Sequence, residues 1–201
     1  LANNQNRLLR ETQTLLEANQ SLTKANQTLK ELSTLDSLTG LGNKLYNSNK
    51  VRDNLRHTES RGGATCVILI RINGIAELEQ KYPPRIINEL IVGISRRLKG
   101  LVRPLDDVSR LTKFTFAVVT HQPDLNLCVG SSFKRILDAI NHRAFQTSVG
   151  FKEVTVDMSI AAASAKTGLV DADKLISLAE DALKEPVVTR RIHHIHYRSE
   201  S

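Results

Sequence analysis

Arg103, Asp106 and, further along, Arg135 are the side chains best suited by type to hold a planar polar ligand. Arg103-Pro104-Leu105-Asp106 sets a guanidinium and a carboxylate three positions apart in a turn. A guanidinium fork donates two parallel bonds to O6 and N7 of guanine. A carboxylate accepts from donors such as guanine N1 and N2. The tetrapeptide also has an ordinary reading, because Arg, Pro and Asp are frequent in exposed turns. Its position gives it weight: Asp107 to Phe116 reads as a short strand, a two-residue tip and a second strand continuing through Ala117-Val118-Val119. The tip itself is unsuited to metal-assisted chemistry. Thr112, Lys113, Phe114 and Thr115 offer no carboxylate to a divalent cation.

Other chemistry-bearing residues carry less. His194 and His196 share one face of a strand and His193 lies beside them, but no Cys or Asp completes a ligand set, which favours a plain edge strand. Gly62-Gly63 is a turn and not a phosphate loop, since no Gly-Lys-Ser or Gly-Lys-Thr follows. No Ser/His/Asp arrangement can be defended from spacing. Cys66 sits in an apolar strand and Cys128 opens an apolar helix, which suits buried thiols in a reducing compartment.

The 201 residues suffice for one core and an appendage, and the net charge of +7 favours anionic partners. Aromatics at 4% with no Trp are too few for a single-strand stacking platform, and no sequence-specific nucleic acid partner is expected. No apolar run reaches transmembrane length and no signal peptide is visible. The expected location is cytoplasmic, with room for a membrane anchor upstream, because the chain opens at Leu1 in mid-helix pattern.

Residues 1 to about 34 read as one polar helix. Leu1, Leu8, Leu15, Leu22 and Leu29 recur every seven residues, with Ala18, Ala25 and Leu32 three positions after members of the series. This heptad seam predicts a homodimeric coil, weak because Asn4 and Glu11 fill the companion position first. The alternative is a lone helix packed on its own domain. After a break at 33–43 come a helix (Lys44 to Glu59), a strand (Ala64 to Asn73), a helical turn (Ile75 to Lys81), a helix (Arg85 to Lys99) and the hairpin. A helix (Val129 to Asn141), an alternating strand (Val154 to Ala161), a helix (Asp171 to Lys184) and an edge strand (Arg191 to Arg198) follow. The fold class is a mixed α/β sandwich, one sheet with helices packed against it.

Asp36-Ser37-Leu38-Thr39-Gly40-Leu41-Gly42-Asn43, the late helix Ala179-Glu180-Asp181-Ala182-Leu183, and Arg110-Leu111 ahead of the hairpin tip resemble the GGDEF family, the bacterial diguanylate cyclase domain. The resemblance covers about residues 33 to 198 and implies a nucleotidyl-cyclase-like mixed sheet flanked by helices. It divides the chain into a signalling helix, 1–34, and a degenerate GGDEF domain, 35–201. The family condenses two GTP into cyclic di-GMP across a dimer, with divalent ions held by an acid at the end of the first strand and an acid in the hairpin. Arg71 stands at the strand position, and Thr115 and Phe114 at the hairpin acid and its neighbour. Thr112 and Lys113 replace the hairpin glycines; Glu79 and Asn88 fall near the guanine readers; Ala76 falls at a phosphate-side Lys; Pro83-Pro84 replaces a Gly-His pair. The resemblance therefore implies no magnesium site, no cofactor and no cyclase activity.

The same resemblance places Arg103 and Asp106 at the family's allosteric product site, with Arg135 as a second arginine. The implied function is a regulatory receptor domain that binds cyclic di-GMP and signals through the coil, an attached EAL-type domain or a protein partner. The alternative is a nucleotide-independent dimerisation or docking module regulating such a domain or partner. An active cyclase ranks third.

Overall fold

The computed structural model describes residues 1–166, 170–184 and 192–196. It divides into two compact units, Leu1–Thr34 and Leu35–Ser201. The first is helix α1 (Ala2–Leu32). Leu8, Leu15, Leu22 and Leu29 all lie exposed along a single copy of it. Among the described residues no helix is long and apolar enough to cross a membrane.

The second unit contains α2 (Lys44–Arg61), β1 (Ala64–Ile72), α3 (Ile75–Lys81), α4 (Pro84–Leu101), β2 (Asp107–Thr112) and β3 (Thr115–Gln122). These are followed by α5 (Gly130–Asn141), β4 (Phe145–Thr147), β5 (Gly150–Lys152), β6 (Val156–Ser164), α6 (Ala172–Lys184) and β7 (Ile192–His196). The main sheet runs β2-β3-β1-β6-β7. β1 pairs antiparallel with β3 and β6, and β6 pairs parallel with β7.

A central strand buries both faces, and β1 shows why its sequence is continuously apolar. Ile68 and Ile70 join Phe116, Val118, Met158 and Ile160 against the Leu90, Ile91, Ile94 and Leu98 stripe of α4 and Ile136 and Ile140 of α5. Val67 and Leu69 point the other way, with Ala117, Val119, Ala161 and Ala163, onto Val51 and Leu55 of α2 and Leu175, Ile176 and Ala179 of α6. Helices thus cover both faces, as the apolar stripes require.

Three expectations are corrected. β6 begins at Val156, two residues later than read, and is buried throughout to Ser164. Its alternating polar residues are not solvent-facing: the Ser159 hydroxyl donates to Ala179 O at 2.8 Å, and Asp157 is bound by Arg71. The β4–β5 hairpin was not anticipated. Cys128 does not open α5; it closes a 3-10 turn at Leu125–Leu127, and α5 starts at Gly130. Cys66 and Cys128 are both buried free thiols in contact. Burial pushes the Cys66 thiol well up, and the Cys128 thiol and the Asp106 carboxylate push the same way.

Candidate functional site

β2 and β3 carry the site because their hairpin faces the ends of three other elements. Thr112 pairs with Thr115, leaving Lys113-Phe114 as the tip, and the register slips between Arg110 and Thr112. The tip is fixed to the end of β1, where Ile72 N donates to Phe114 O at 3.0 Å. It is also fixed by Arg110. The Arg110 guanidinium donates to both Asp36 oxygens at 3.1 and 3.2 Å and to Lys113 O at 3.1 and 3.3 Å. Asp36 in turn accepts from Thr39 N at 2.9 Å and Thr39 Oγ1 at 2.7 Å. Burial pushes the Asp36 carboxyl up, but the Thr39 bonds and Arg110 outweigh it and hold it below its ordinary value. Leu35–Gly42 is thereby clamped to the hairpin, with Gly42 O accepting from Arg110 N at 2.8 Å. Gly42 must lack a side chain, because a Cβ there would strike the Tyr46 ring.

At the tip, the residues that could hold a cation are of the wrong kind. Arg71 sits at the end of β1, opposite Thr115 on one side and Asp157 on the other. Its guanidinium lies 3.7 Å from the Asp157 carboxylate, which is 8% exposed. The position thus holds a positive charge already committed to the nearest acid. Phe114 is buried in the core and Thr115 offers a neutral hydroxyl. These side chains do not fit a divalent ion. Lys113 reaches across to Glu79 on α3, 3.7 Å away, joining two of the positions singled out from the sequence. No described residue other than a glycine has positive φ, so Thr112 and Lys113 use ordinary backbone conformations. Asn88 is exposed on α4, where it lines a groove of about 820 Å³ with Arg85, Glu89, Thr147 and Ser148.

The structure brings Arg103, Asp106 and Arg135 together. All three line a cavity of about 250 Å³, floored by Ile68, Val118 and Ile136. Arg103 and Asp106 close on each other: Asp106 accepts from Arg103 N at 3.0 Å, from Nε at 3.3 Å and from Nη2 at 3.2 Å. Arg103 Nη2 also reaches Thr120 Oγ1 at 2.5 Å and His121 O at 3.1 Å. Arg135 Nη2 donates to Leu101 O at 2.8 Å. The Asp106 side chain is 10% exposed and Arg103 is 57% exposed, so the cation faces solvent above a sheltered acid.

Sequence reasoning missed the residues on the other side of this turn. Tyr46, whose hydroxyl donates to Asp107 Oδ1 at 2.9 Å, lines a second cavity of about 500 Å³ together with Lys99, Arg103 and Asp106. Burial and the Asp107 carboxylate push the Tyr46 phenol up to about 12. Nothing in the sequence around Tyr46 distinguishes it from an ordinary first-turn helix residue. The strand of His193, His194 and His196 is β7, paired with β6 at the sheet edge; its side chains lie outside the described residues, as do Arg191 and Arg198.

Residues 33–190 match the family described as diguanylate cyclase, GGDEF domain. The chain belongs to the GGDEF domain family. Diguanylate cyclase DgcS of Shewanella oneidensis is 23% identical to this GGDEF protein over 191 residues, 95% of this chain and 62% of that relative. The chain thus spans under two thirds of that relative's length. The coiled coil and GGDEF domain of DgcB from Caulobacter crescentus, solved in complex with c-di-GMP, superposes with a TM-score of 0.70 at 14% identity, covering 90% of this chain and 97% of that one. The FimX GGDEF domain from Pseudomonas aeruginosa gives 0.67 at 16% identity, over 82% of this chain and 99% of that one. These likenesses establish the GGDEF fold, and the mixed sheet with its long N-terminal helix is the expected architecture.

Proposed function

We propose that this GGDEF domain is catalytically inactive and serves as a cyclic di-GMP receptor through Arg103, Asp106 and Arg135. The observation that carries the reading is the convergence of those three side chains on one cavity, in a domain that has Arg71 at the end of β1 and Phe114 and Thr115 in the hairpin where the family would carry metal-binding acids. The guanidinium supplies donors to a guanine O6 and N7, and Asp106 supplies acceptors for N1 and N2. Binding requires Arg103 to turn away from Asp106, exchanging internal bonds for bonds to ligand. The second arginine and the +7 charge favour the ligand's phosphates.

Loss of catalysis rests on charge. Two-metal phosphoryl chemistry needs carboxylates at the strand end and hairpin, and here Arg71 is paired with Asp157 and Lys113 with Glu79. The Lys113–Glu79 pair further spans two positions that the family uses for nucleotide. The exposed leucine seam of α1 supports a homodimer, with the output passing to an attached EAL-type domain or a protein partner. A relative, SiaD of Pseudomonas aeruginosa, was solved in complex with its activator SiaC.

A second reading is a docking module indifferent to nucleotide. It is favoured by the self-satisfied turn, in which the Arg103 fork is already spent on Asp106, Thr120 and His121. Incubation with GTP and Mg²⁺ tests inactivity: the expected result is no cyclic di-GMP, and product formation overturns it. Regulation of an attached domain that survives an Arg103→Ala, Asp106→Ala double substitution unchanged favours the docking reading over the receptor.

A further inference from the structure

Cys66 and Cys128 are the only two cysteines of the chain, and the fold brings them into contact as free, fully buried thiols. Packing alone does not call for two sulfurs side by side, since a small apolar residue fills a core as well; thiol chemistry is what sets Cys apart. The pair joins elements of unequal rigidity. Cys66 lies in β1, the central strand, which is paired along its length with β3 and β6. Cys128 closes the 3-10 turn Leu125–Leu127 between β3 and α5. That turn is held by Leu127 N to Asp124 O and Cys128 N to Leu125 O, each at 3.0 Å, and by Asn126 N to Asp124 Oδ1 at 2.9 Å. All three bonds are local, and Leu127, next to Cys128, is 44% exposed. A turn held by local bonds at the surface opens far more often than a central strand. Cys128 is therefore the thiol that reaches solvent. Burial, with the Cys128 thiol and the Asp106 carboxylate acting the same way, pushes the Cys66 thiol well up, so Cys66 does not react first.

We infer that Cys66 and Cys128 form a peroxide-oxidisable dithiol, a modification site at which Cys128 is oxidised first and Cys66 closes a disulfide. With the turn open, the Cys128 thiolate attacks one oxygen of hydrogen peroxide. The O–O bond breaks, Cys128 becomes a sulfenic acid, and the departing hydroxide takes up the thiol proton as water. As the turn recloses, the Cys66 sulfur attacks the Cys128 sulfur. The S–O bond breaks, and the hydroxide leaves with the Cys66 proton as a second water. Two thiols and one peroxide thus give one disulfide and two waters, with sulfur oxidised and peroxide oxygen reduced. The product ties β1 to the segment entering α5 and closes a loop that contains α3, α4 and the β2–β3 hairpin. The inference is independent of the receptor reading, which uses neither sulfur.

The test exposes the whole, folded, reduced chain to hydrogen peroxide, quenches in acid, and reads free thiols and peptide masses after denaturation. The expected result is loss of both thiols in a chain lighter by two hydrogen atoms. Its digest should hold a Cys66–Cys128 cross-linked peptide, and dithiothreitol should restore both thiols. In Cys66→Ala the reaction should stop at a Cys128 sulfenic acid that dimedone traps. Asp124→Ala alters an exposed residue and removes the acceptor of Asn126 N, so it should speed disulfide formation about twofold or more. Circular dichroism checks that both variants fold, and the wild-type result decides the cross-link even where one does not. Two free thiols persisting in peroxide overturn the inference. So do a cross-link found only between chains, and oxidation to sulfinic acid without a disulfide. A dimedone adduct at Cys66 in place of Cys128, or an Asp124→Ala rate equal to wild type, overturns the order of attack through the turn.

Discussion

Arg71→Ala removes the cation that faces Asp157 and is the most informative single change at the end of β1. The Asp157 side chain is 8% exposed and the Arg71 side chain 33%, with 3.7 Å between nitrogen and oxygen. Coulomb attraction at that separation is about 4 kcal/mol for an effective dielectric of about 20. Water reaching Arg71 screens part of it. Deleting one partner of a fully buried pair costs about 3–5 kcal/mol, and of an exposed pair about 0–1. This half-sheltered pair lies between, at about 2 kcal/mol. Equilibrium urea unfolding at neutral pH reads it. A cycle with Asp157→Asn should return a coupling of about 1–2 kcal/mol, because the double variant no longer leaves an acid unpaired. An Arg71→Ala cost below about 0.5 kcal/mol, or no coupling to Asp157, refutes the assignment of Arg71 as the partner that silences this acid. Arg71→Asp should be worse than Arg71→Ala, since it sets two carboxylates face to face; stabilisation of that variant by millimolar Mg²⁺ would mean the metal site is still built.

Two further changes probe the clamp and the core. Arg110→Ala takes two bonds from Asp36, with both side chains under one fifth exposed, and should cost about 2–3 kcal/mol at pH 7. Because the folded Asp36 carboxyl is held below its ordinary value, its contribution is present above about pH 4 and is lost as pH falls through the folded value. The gap between variant and wild type should therefore narrow as pH falls below about 4, leaving the part owed to the Arg110 bonds to Lys113 O; an equal gap at pH 7 and pH 3 contradicts the clamp. Asn47 is fully buried on the inner face of α2, and neither of its amide atoms has a hydrogen-bond partner among the described residues. Asn47→Leu should raise stability by about 1 kcal/mol or more, read as a higher urea midpoint at unchanged slope.

The helices and the central strand were legible because their signals are local. The α4 stripe at Ile86, Ile87, Leu90, Ile91, Ile94 and Leu98 is a helical period, and all six are buried. The uniform apolarity of β1 announces burial on both faces. β6 misled because its polar residues alternate for internal reasons: Ser159 caps the Ala179 carbonyl and Asp157 meets Arg71. That the acid facing Arg71 is Asp157 required the β1–β6 register. The β4–β5 hairpin has three-residue strands, too short for any periodicity. Arg103 and Asp106 were located by their offset to the hairpin and Arg135 by the family resemblance, but their mutual closure was not, because the Thr120 and His121 partners come from the far end of β3. Tyr46 and Lys99 come from helices remote in sequence and meet only through the turn between them.

The most direct measurement is the titration of cyclic di-GMP into the wild-type chain and Arg103→Ala, run in Mg²⁺ buffer beside an equal titration of GTP. Saturable binding of the cyclic dinucleotide at micromolar affinity or tighter, abolished in Arg103→Ala, with GTP neither turned over nor competing, is the predicted result. No heat from cyclic di-GMP, or conversion of GTP to product, contradicts the receptor account.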